Sequence, residues 1–310
     1  CLATLLVDAA LLACGFPAPL SLTLGAIAAA TAPAATLMVV RQYHAKGEVT
    51  STLLPVVAMD DAVGLMLFSI SLPISQALAS NAALTVTSML LQPLLEIVLS
   101  LAVGAGIGLL IALAMRFFHS KVNRISVAVA AVLLGSALAS IWNLSSLLLC
   151  MAIGAVLVNL RKDADELLEI TDAWTPPLFM LFFVLSGAEL DLAVVPTVGL
   201  LGVVYMVARS LGKYFGSFLG ATIAKSSPNI RKYLGLTLLP QAGVAIGMAQ
   251  VALNALPEYG TQIQAVVLTA TLIYELIGPV ITKLALTAAG EIQDSKKSKA
   301  KTEQSAGGAK

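Results

Sequence analysis

Charged residues are scarce in this chain of 310 residues. Only 11% of the residues are charged, whereas 58% are hydrophobic. A soluble domain of this length could not cover its surface with so few polar groups, so the composition predicts an all-α protein with several membrane-spanning segments. The formal net charge is +1 and no basic patch stands out, so we expect no nucleic-acid partner.

Cysteine and histidine are also rare, since the chain contains three cysteines and two histidines. Cys1, Cys14 and Cys150 lie in apolar segments and are interpreted as small hydrophobic residues, not as disulfide partners or metal ligands. His44 and His119 fall in predicted loops, where solvation is a more common role than pH sensing. We expect no resident cofactor, and we do not expect the protein to be an enzyme.

About ten apolar runs are long enough to cross a bilayer. Because Cys1 already lies inside such a run, we expect further helices upstream of it. The tail 291–310 is rich in Lys, Ser and Gly and is predicted to be disordered and solvated. The predicted spans are 1–16, 20–40, 50–74, 93–115, 125–142, 145–160, 175–190, 195–223, 233–254 and 262–287.

Basic residues alternate between successive loops. Sixteen of the 18 Lys and Arg residues fall in loops on one side of the predicted spans. The positive-inside rule assigns that side to the cytoplasm. The chain is therefore expected in the cell inner (plasma) membrane as a multi-pass protein with a cytoplasmic carboxyl tail. The basic segments are 41–46, 116–124, 161–162, 225–232 and the tail from 283 onward.

Two adjacent aspartates, Asp60 and Asp61, stand in the middle of the apolar run 50–74. A carboxylate at membrane depth is costly, and such residues usually face a water-filled cavity or an ion path. Neighbouring residues on a helix point about 100° apart. One aspartate can therefore face a basic partner while the other faces the cavity.

Helix breakers interrupt two of the predicted spans. Pro33 lies within 30–36, and Pro240 and Gly243 lie within 239–243. Proline removes a backbone donor, and irregular backbone at membrane depth is tolerated only beside protein or a cavity. Matched interruptions in two halves of a chain indicate an inverted-repeat secondary transporter. The hydroxyls of Thr31 and Thr36 are candidate oxygen ligands at the first interruption.

A basic pair lies inside the eighth predicted span. Arg209 and Lys213 are four residues apart and share one helix face. Their side chains either extend to the cytoplasmic interface or pair with an aspartate, and the sequence leaves both interpretations open.

Charged, interrupted and acid-bearing spans follow one another in the same order at both ends of the chain. Asp8, the first break and Asp60–Asp61 form one trio, and Arg209/Lys213, the second break and Glu275 form the other. Glu275 is either a ligand or an acid of the core. We divide the chain into the rest of a first repeat (1–79), linking helices (80–144), a second repeat (145–290) and the tail (291–310).

Five segments resemble the bacterial monovalent cation:proton antiporters, in particular the double-aspartate subgroup of the sodium/proton exchangers. The resemblance extends from residue 1 to about 290. It implies two crossed, discontinuous helices in a core domain, a separate dimerisation domain and hence a homodimer, and alternating access across the membrane. The segments are 31–41, 53–64, 182–190, 211–216 and 239–247.

The same resemblance implies the roles of the site residues. Asp61 would be the principal carrier of the cation and the proton, and Asp60 would pair with Lys213, with Arg209 as the rival partner. Na⁺ and H⁺ would compete for the carboxylates of Asp60 and Asp61, with no cofactor besides the transported ions. A double aspartate is usual for electrogenic exchange, and pH homeostasis is the expected cellular role.

Other classes of membrane protein fit the pattern less well. A channel would require a continuous polar lining, and an intramembrane aspartyl protease would require its two aspartates on separate helices. A sodium-coupled symporter of similar build is the nearest competitor, although no pocket for an organic substrate is evident. Exchange of K⁺ or Li⁺ in place of Na⁺ stays open because oxygen ligands suit all three ions.

Overall fold

The computed structural model describes residues 1–80, 91–118, 120–142, 144–188 and 199–292. These residues form helices and connecting turns, with no strand among them. The helices are α1 (Leu2–Ala13), α2 (Ala18–Ile27), α3 (Pro33–Gln42), α4 (Glu48–Ala79), α5 (Gln92–Ala114), α6 (Lys121–Trp142), α7 (Ser146–Leu160), α8 (Ala164–Ala188), α9 (Gly199–Ile223), α10 (Pro228–Thr237), α11 (Gly243–Ala255) and α12 (Gly260–Ala288).

The predicted all-α membrane architecture is confirmed. Four of the described helices are long and apolar enough to cross a membrane, over Glu48–Ala79, Leu94–Ala114, Lys121–Trp142 and Gly260–Ala288. The tail is predicted to be solvated from residue 291, but Glu291 and Ile292 are buried, so this prediction is wrong for the first two residues. The predictions for the rest of the tail and for His119 lie outside the described residues.

Both predicted interruptions are present. The second predicted span consists of α2 and α3, separated by residues 28–32, and the ninth consists of α10 and α11, separated by residues 238–242. Pro33 is the first residue of α3, where proline fits because that position has no intrahelical partner for an N–H group. Pro240 lies inside the second break, and Gly243 begins α11. Two spans are therefore discontinuous, as predicted.

The two breaks cross and bond to one another. The backbone N–H of Ala32 donates to the carbonyl of Pro240 at 2.9 Å. The hydroxyl of Thr36 donates to the carbonyl of Thr237 at 3.2 Å. Each break thus satisfies part of the polar backbone that the other exposes, which is the requirement for irregular backbone inside a membrane.

The two interrupted spans share a constant spacing in the chain. The bounds of α10 lie 210 residues after those of α2, and the starts of α11 and α3 differ by the same number, as do the ends of α9 and α1. Gly25 and Gly235 occupy corresponding places, and each allows a close approach. A Cβ atom at Gly25 would collide with the Asp8 carboxyl group, and one at Gly235 would lie 2.7 Å from Tyr214 Cα. This correspondence is what an internal repeat requires.

The correspondence does not extend to the acids. By the same spacing of 210 residues, Asp61 corresponds to Thr271, whereas Glu275 lies four residues, about one helical turn, further along α12. Glu275 is therefore not the positional counterpart of Asp61.

The chain divides into two compact units. One comprises Cys1–Gly64 and Leu192–Lys310, and it contains both interrupted spans with α1, α9, α12 and the first half of α4. The other comprises Leu65–Asp191. The proposed division into two repeats and a linking region follows internal similarity instead of compactness, and it stays a prediction.

The second unit is held by close helix packing and by a buried arginine. A Cβ atom at Gly104 would collide with the carbonyl oxygen of Leu149, so α5 and α7 approach closely there. Arg124 is buried and pairs with Glu166 at 2.6 Å and with Asp163 at 2.9 Å. The Arg161 guanidinium donates to both oxygens of Asp163, and these hydrogen bonds lower the pKa of the Asp163 carboxyl group.

Candidate ion-binding site

Asp60 and Asp61 lie on α4 where this helix passes the first break. Gly64 follows one turn later, and a Cβ atom there would be in ordinary van der Waals contact, at 3.5 Å, with the backbone nitrogen of Ala30. The contact between α4 and the first break places the two carboxyl groups beside residues 28–32. Both aspartates are half-buried, with 21% of the Asp60 side chain exposed.

Lys213 on α9 pairs with Asp60. Its Nζ forms an ion pair with Asp60 Oδ2 and also donates to the carbonyl of Ala29 and, at 2.8 Å, to the hydroxyl of Thr31. That hydroxyl in turn donates to Asp60 Oδ2 at 2.5 Å. The three donors of the ammonium group are thus all used, which compensates for burial of a side chain only 5% exposed.

Arg209 occupies the crossing point of the two breaks. Its Nη1 donates to the carbonyl of Leu239 at 2.7 Å, and its Nη2 donates to the carbonyl of Ala30 at 2.8 Å. The guanidinium also stacks on the ring of Tyr274, 4.5 Å from its centroid. Because carbonyl ends of helices carry partial negative charge, a buried cation is stabilised between them. Arg209 therefore bonds to backbone carbonyls, and Lys213 is the basic residue that reaches Asp60.

Burial decides how the two basic side chains are oriented. Arg209 is fully buried and Lys213 nearly so, and both bond to groups of the breaks. Both side chains therefore bond within the protein, and the interpretation that they extend to the cytoplasmic interface does not hold.

Asp61 has a different environment from its neighbour. The backbone N–H of Thr31 is directed at its carboxyl group. Its Oδ1 atom is buried, and no described residue donates a hydrogen bond to it. Thr31 therefore contacts both aspartates, through its hydroxyl and its backbone, while Asp61 keeps one oxygen without a partner in the described part of the chain.

Two other predicted residues are located elsewhere. The hydroxyl of Thr36 bonds to carbonyls of Thr237 and Ala32, so Thr36 joins the two breaks and is not brought to the aspartates. Glu275 is half-buried on α12, and no described group bonds to its Oε1. It lies one turn before Gly278, which packs against Pro240 beside the second break.

Sequence reasoning gave no role to Gln241 and Tyr205. Both are fully buried, and the Gln241 amide donates to the Tyr205 hydroxyl at 2.9 Å and to the carbonyl of Ile27 at 3.2 Å. Gln241 lies 210 residues after Thr31, at the corresponding place of the other break. Tyr205 precedes Arg209 and Lys213 at spacings of four residues, so a search for polar residues along that face would have found it.

An open cavity of about 590 Å³ leads to the Asp60–Lys213 pair. It follows α9 along Gly212, Gly216 and Gly220 as far as residues 223–226, next to a loop that the sequence assigns to the cytoplasm. Gly220 has open space beside it, whereas Gly212 and Gly216 pack closely against Ala3 and Leu2 of α1.

The structure and the sequence can be compared with known proteins. The fold matches that of the sodium proton antiporter MjNhaP1 from Methanocaldococcus jannaschii at pH 8, with a TM-score of 0.67 and 21% sequence identity over 92% of this chain and 76% of the other. No curated protein sequence matches significantly. The model of a family described as sodium/hydrogen exchanger, transmembrane, matches residues 1–288. That match spans nearly all of the described residues, and the family consists of transporters. The chain therefore belongs to the sodium/hydrogen exchanger family.

Proposed function

We propose that this protein exchanges a monovalent cation, Na⁺ before K⁺ or Li⁺, for protons, and that Asp61 is the carboxylate the two ions occupy in turn. The observation that carries the proposal is the unequal environment of the two aspartates. Asp60 is held by Lys213 and Thr31, whereas one buried oxygen of Asp61 has no partner among the described residues. A carboxylate oxygen in this state can accept either a proton or a hard cation.

The other ligands of the cation can be inferred from which oxygen atoms near Asp61 already accept hydrogen bonds. The carbonyls of Ala29 and Ala30 accept hydrogen bonds from Lys213 and Arg209. A hydroxyl has one donor and two acceptor positions, so Thr31 keeps one lone pair after bonding to Asp60 and Lys213. We therefore assign the cation to Asp61, Thr31 and water. Asp60 is not assigned as a ligand, because its negative charge compensates the charge of Lys213. Thr36 is not a ligand either, because its hydroxyl joins the two breaks.

Electrostatics provides the coupling between the two ions. The Asp60–Lys213 pair is neutral as a unit, so the charge of Asp61 decides the net charge of the moving site. An unpaired buried charge is costly to carry across a membrane. Bound H⁺ or bound Na⁺ neutralises Asp61 and permits the site to change the side it faces, while the empty carboxylate prevents this. Competition for one site then exchanges one cation for one proton by alternating access. Such exchange moves no net charge, in contrast to the electrogenic exchange that the family resemblance implies.

We further infer that the protein lies in the inner (plasma) membrane with its carboxyl tail in the cytoplasm. The clustering of basic residues in loops on one side supports this orientation. The family resemblance favours a homodimer.

A sodium-coupled symporter is the second candidate. The cavity beside Asp60 has a volume of about 590 Å³, which lies within the range of small-molecule sites. In that case, Asp61 would bind Na⁺ while the cavity took up a small solute.

The deciding experiment is Asp61→Asn in proteoliposomes containing a pH-sensitive dye. An amide cannot exchange a proton, so we expect Na⁺, K⁺ or Li⁺ pulses to give no pH change, whereas the unmodified protein responds to at least one of them. Glu258→Gln, at an exposed position, is the control and should behave as the unmodified protein. Near-normal exchange in Asp61→Asn would refute the proposal, and Na⁺-driven solute uptake without proton movement would favour the symporter.

A further inference from the structure

The helix that carries both aspartates begins at a place with no capping side chain of its own. The residue before α4 is Gly47, which has no side chain to accept hydrogen bonds from the first N–H groups of the helix. Those N–H groups have no partner inside a helix and need one from outside. In this chain the partner comes from a residue more than 240 positions later.

Glu291 supplies that partner. Its Oε1 accepts the N–H of Val49 at 2.6 Å, and its Oε2 accepts the N–H of Thr50 at 2.8 Å and the Thr50 hydroxyl at 2.7 Å. Only 8% of the residue is exposed. Gly47 leaves the necessary space, because a Cβ atom there would collide with the Glu291 carboxyl group. Charged acceptors at helix N-termini form strong hydrogen bonds and interact favourably with the helix dipole.

The turn after α12 directs Glu291 towards α4. Gly290 has a φ of +78°, a left-handed conformation that glycine adopts without strain. The N–H of Gly290 bonds to the carbonyl of Thr287, and the N–H of Glu291 bonds to the carbonyl of Leu286. This pair of bonds is the Schellman arrangement that ends many helices. The carbonyl of Glu291 then accepts the N–H of Lys46, which ties the loop before α4 to the same point.

An apolar layer continues the attachment along α4. Val49, Leu53 and Val57 lie on one face of α4 and share a buried cluster with Leu286 and Ile292. Asp60 follows Val57 by three residues and so lies on the same face. The distance from Thr50 to Asp60 along the helix is about 15 Å. The end of α12 therefore holds the face of α4 that also carries the Asp60–Lys213 ion pair.

We infer that Glu291 is a positioning residue for ion exchange. By capping α4 it fixes the height and rotation of this helix, and thereby the place of Asp61 beside the first break. The inference rests on the proposed role of Asp61. It also makes the junction between α12 and the carboxyl tail a part of the transport machinery, since Glu291 is the first residue of that tail.

The test combines hydrogen exchange of backbone amides with transport kinetics. Replacing Glu291 with Gln removes the charge and one acceptor at nearly constant shape. We expect faster amide exchange at residues 49–50, and an apparent KM for Na⁺ raised about tenfold at nearly unchanged maximal rate, as for loss of a residue that orients a metal ligand. Glu291→Asp, which keeps the charge, should recover part of the affinity. Glu48→Gln is the matched control, because Glu48 is an exposed acid in the first turn of the same helix, and it should change neither quantity.

Two results would overturn the inference: unchanged amide exchange in Glu291→Gln, or faster exchange with an unchanged KM. If Glu291→Gln does not fold, Thr50→Val tests the same contact, because it removes only the hydroxyl that donates a hydrogen bond to Glu291. The same two results would then overturn the inference. Failure of the proposed function is recognised separately, by near-normal exchange in Asp61→Asn.

Discussion

Asp60 and Asp61 are chemically identical neighbours that differ in what surrounds them. Rotation by about 100° along α4 turns Asp60 towards Lys213, while Asp61 meets the backbone of Thr31. The sequence predicted such a division but left Arg209 and Lys213 as rival partners. The structure separates them by one helical turn: Lys213 reaches the carboxylate, and Arg209 reaches the carbonyls of the breaks.

A double-mutant cycle tests the Asp60–Lys213 pair. Asp60→Asn leaves a buried ammonium group without its counter-charge and should lower the free energy of unfolding by about 3–5 kcal/mol. Lys213→Gln should cost less, because 21% of the Asp60 side chain is exposed to water. The double variant should be more stable than the sum of the single effects by about 1–3 kcal/mol. Thermal unfolding in detergent measures all three variants.

The control for this cycle combines Asp60→Asn with Glu258→Gln, at an exposed position. These two effects should add, because the two side chains share no bond partner in the described part of the chain. Strictly additive effects at Asp60 and Lys213 would contradict the assigned ion pair.

Interrupted helices are the elements that make this site. Ending α2 at Ile27 and α10 at Thr237 exposes carbonyls at the crossing, and Arg209 binds one carbonyl on each side. Proline and glycine in the sequence predicted where the breaks fall, because these residues act on the local backbone. The hydrogen bond from Ala32 to Pro240 could not be predicted in the same way, since its two residues are separated by more than 200 positions.

Arg209→Lys tests the bridge between the breaks. The guanidinium of Arg209 is a planar fork whose two ends reach Leu239 and Ala30, whereas the ammonium group of lysine is a single compact charge. Lysine therefore cannot bond to both carbonyls in the same geometry, and at least one buried carbonyl loses its partner. We expect a loss of about 1–3 kcal/mol in the free energy of unfolding, measured by thermal or denaturant unfolding. Arg116→Lys, at an exposed position, is the control and should have almost no effect. Equal stability of the two variants would contradict the bridging role.

At the scale of the whole molecule, the chain is a member of the sodium/hydrogen exchanger family with the fold of a cation/proton antiporter. The loop before α4 and the end of α12 meet at Glu291, and Lys283 lies over the ring of Tyr43, 4.4 Å from its centroid. Both segments were assigned to the cytoplasm from their basic residues. Their contact supports placing them on one side of the membrane.

Cysteine labelling tests this orientation. In a variant with Cys1, Cys14 and Cys150 replaced by alanine, Ser80→Cys should react with a membrane-impermeant maleimide in intact cells. Asn229→Cys should react only after permeabilisation, because residues 225–232 are assigned to the cytoplasm. Both positions are exposed, so access to water is the same in each case. The opposite pattern of labelling would reverse the assigned topology.

Composition and local sequence were enough to predict the class of protein, the places of both breaks and the cost of two acids in an apolar span. These properties depend on the number of apolar residues and on the local chemistry of proline, glycine and charge. Three contacts became evident only in the folded chain: Lys213 pairs with Asp60, Thr36 joins the breaks, and Glu291 caps α4. Each of these contacts joins residues more than 150 positions apart, and the pattern of residues along one helix does not specify which side chain of another helix will reach it.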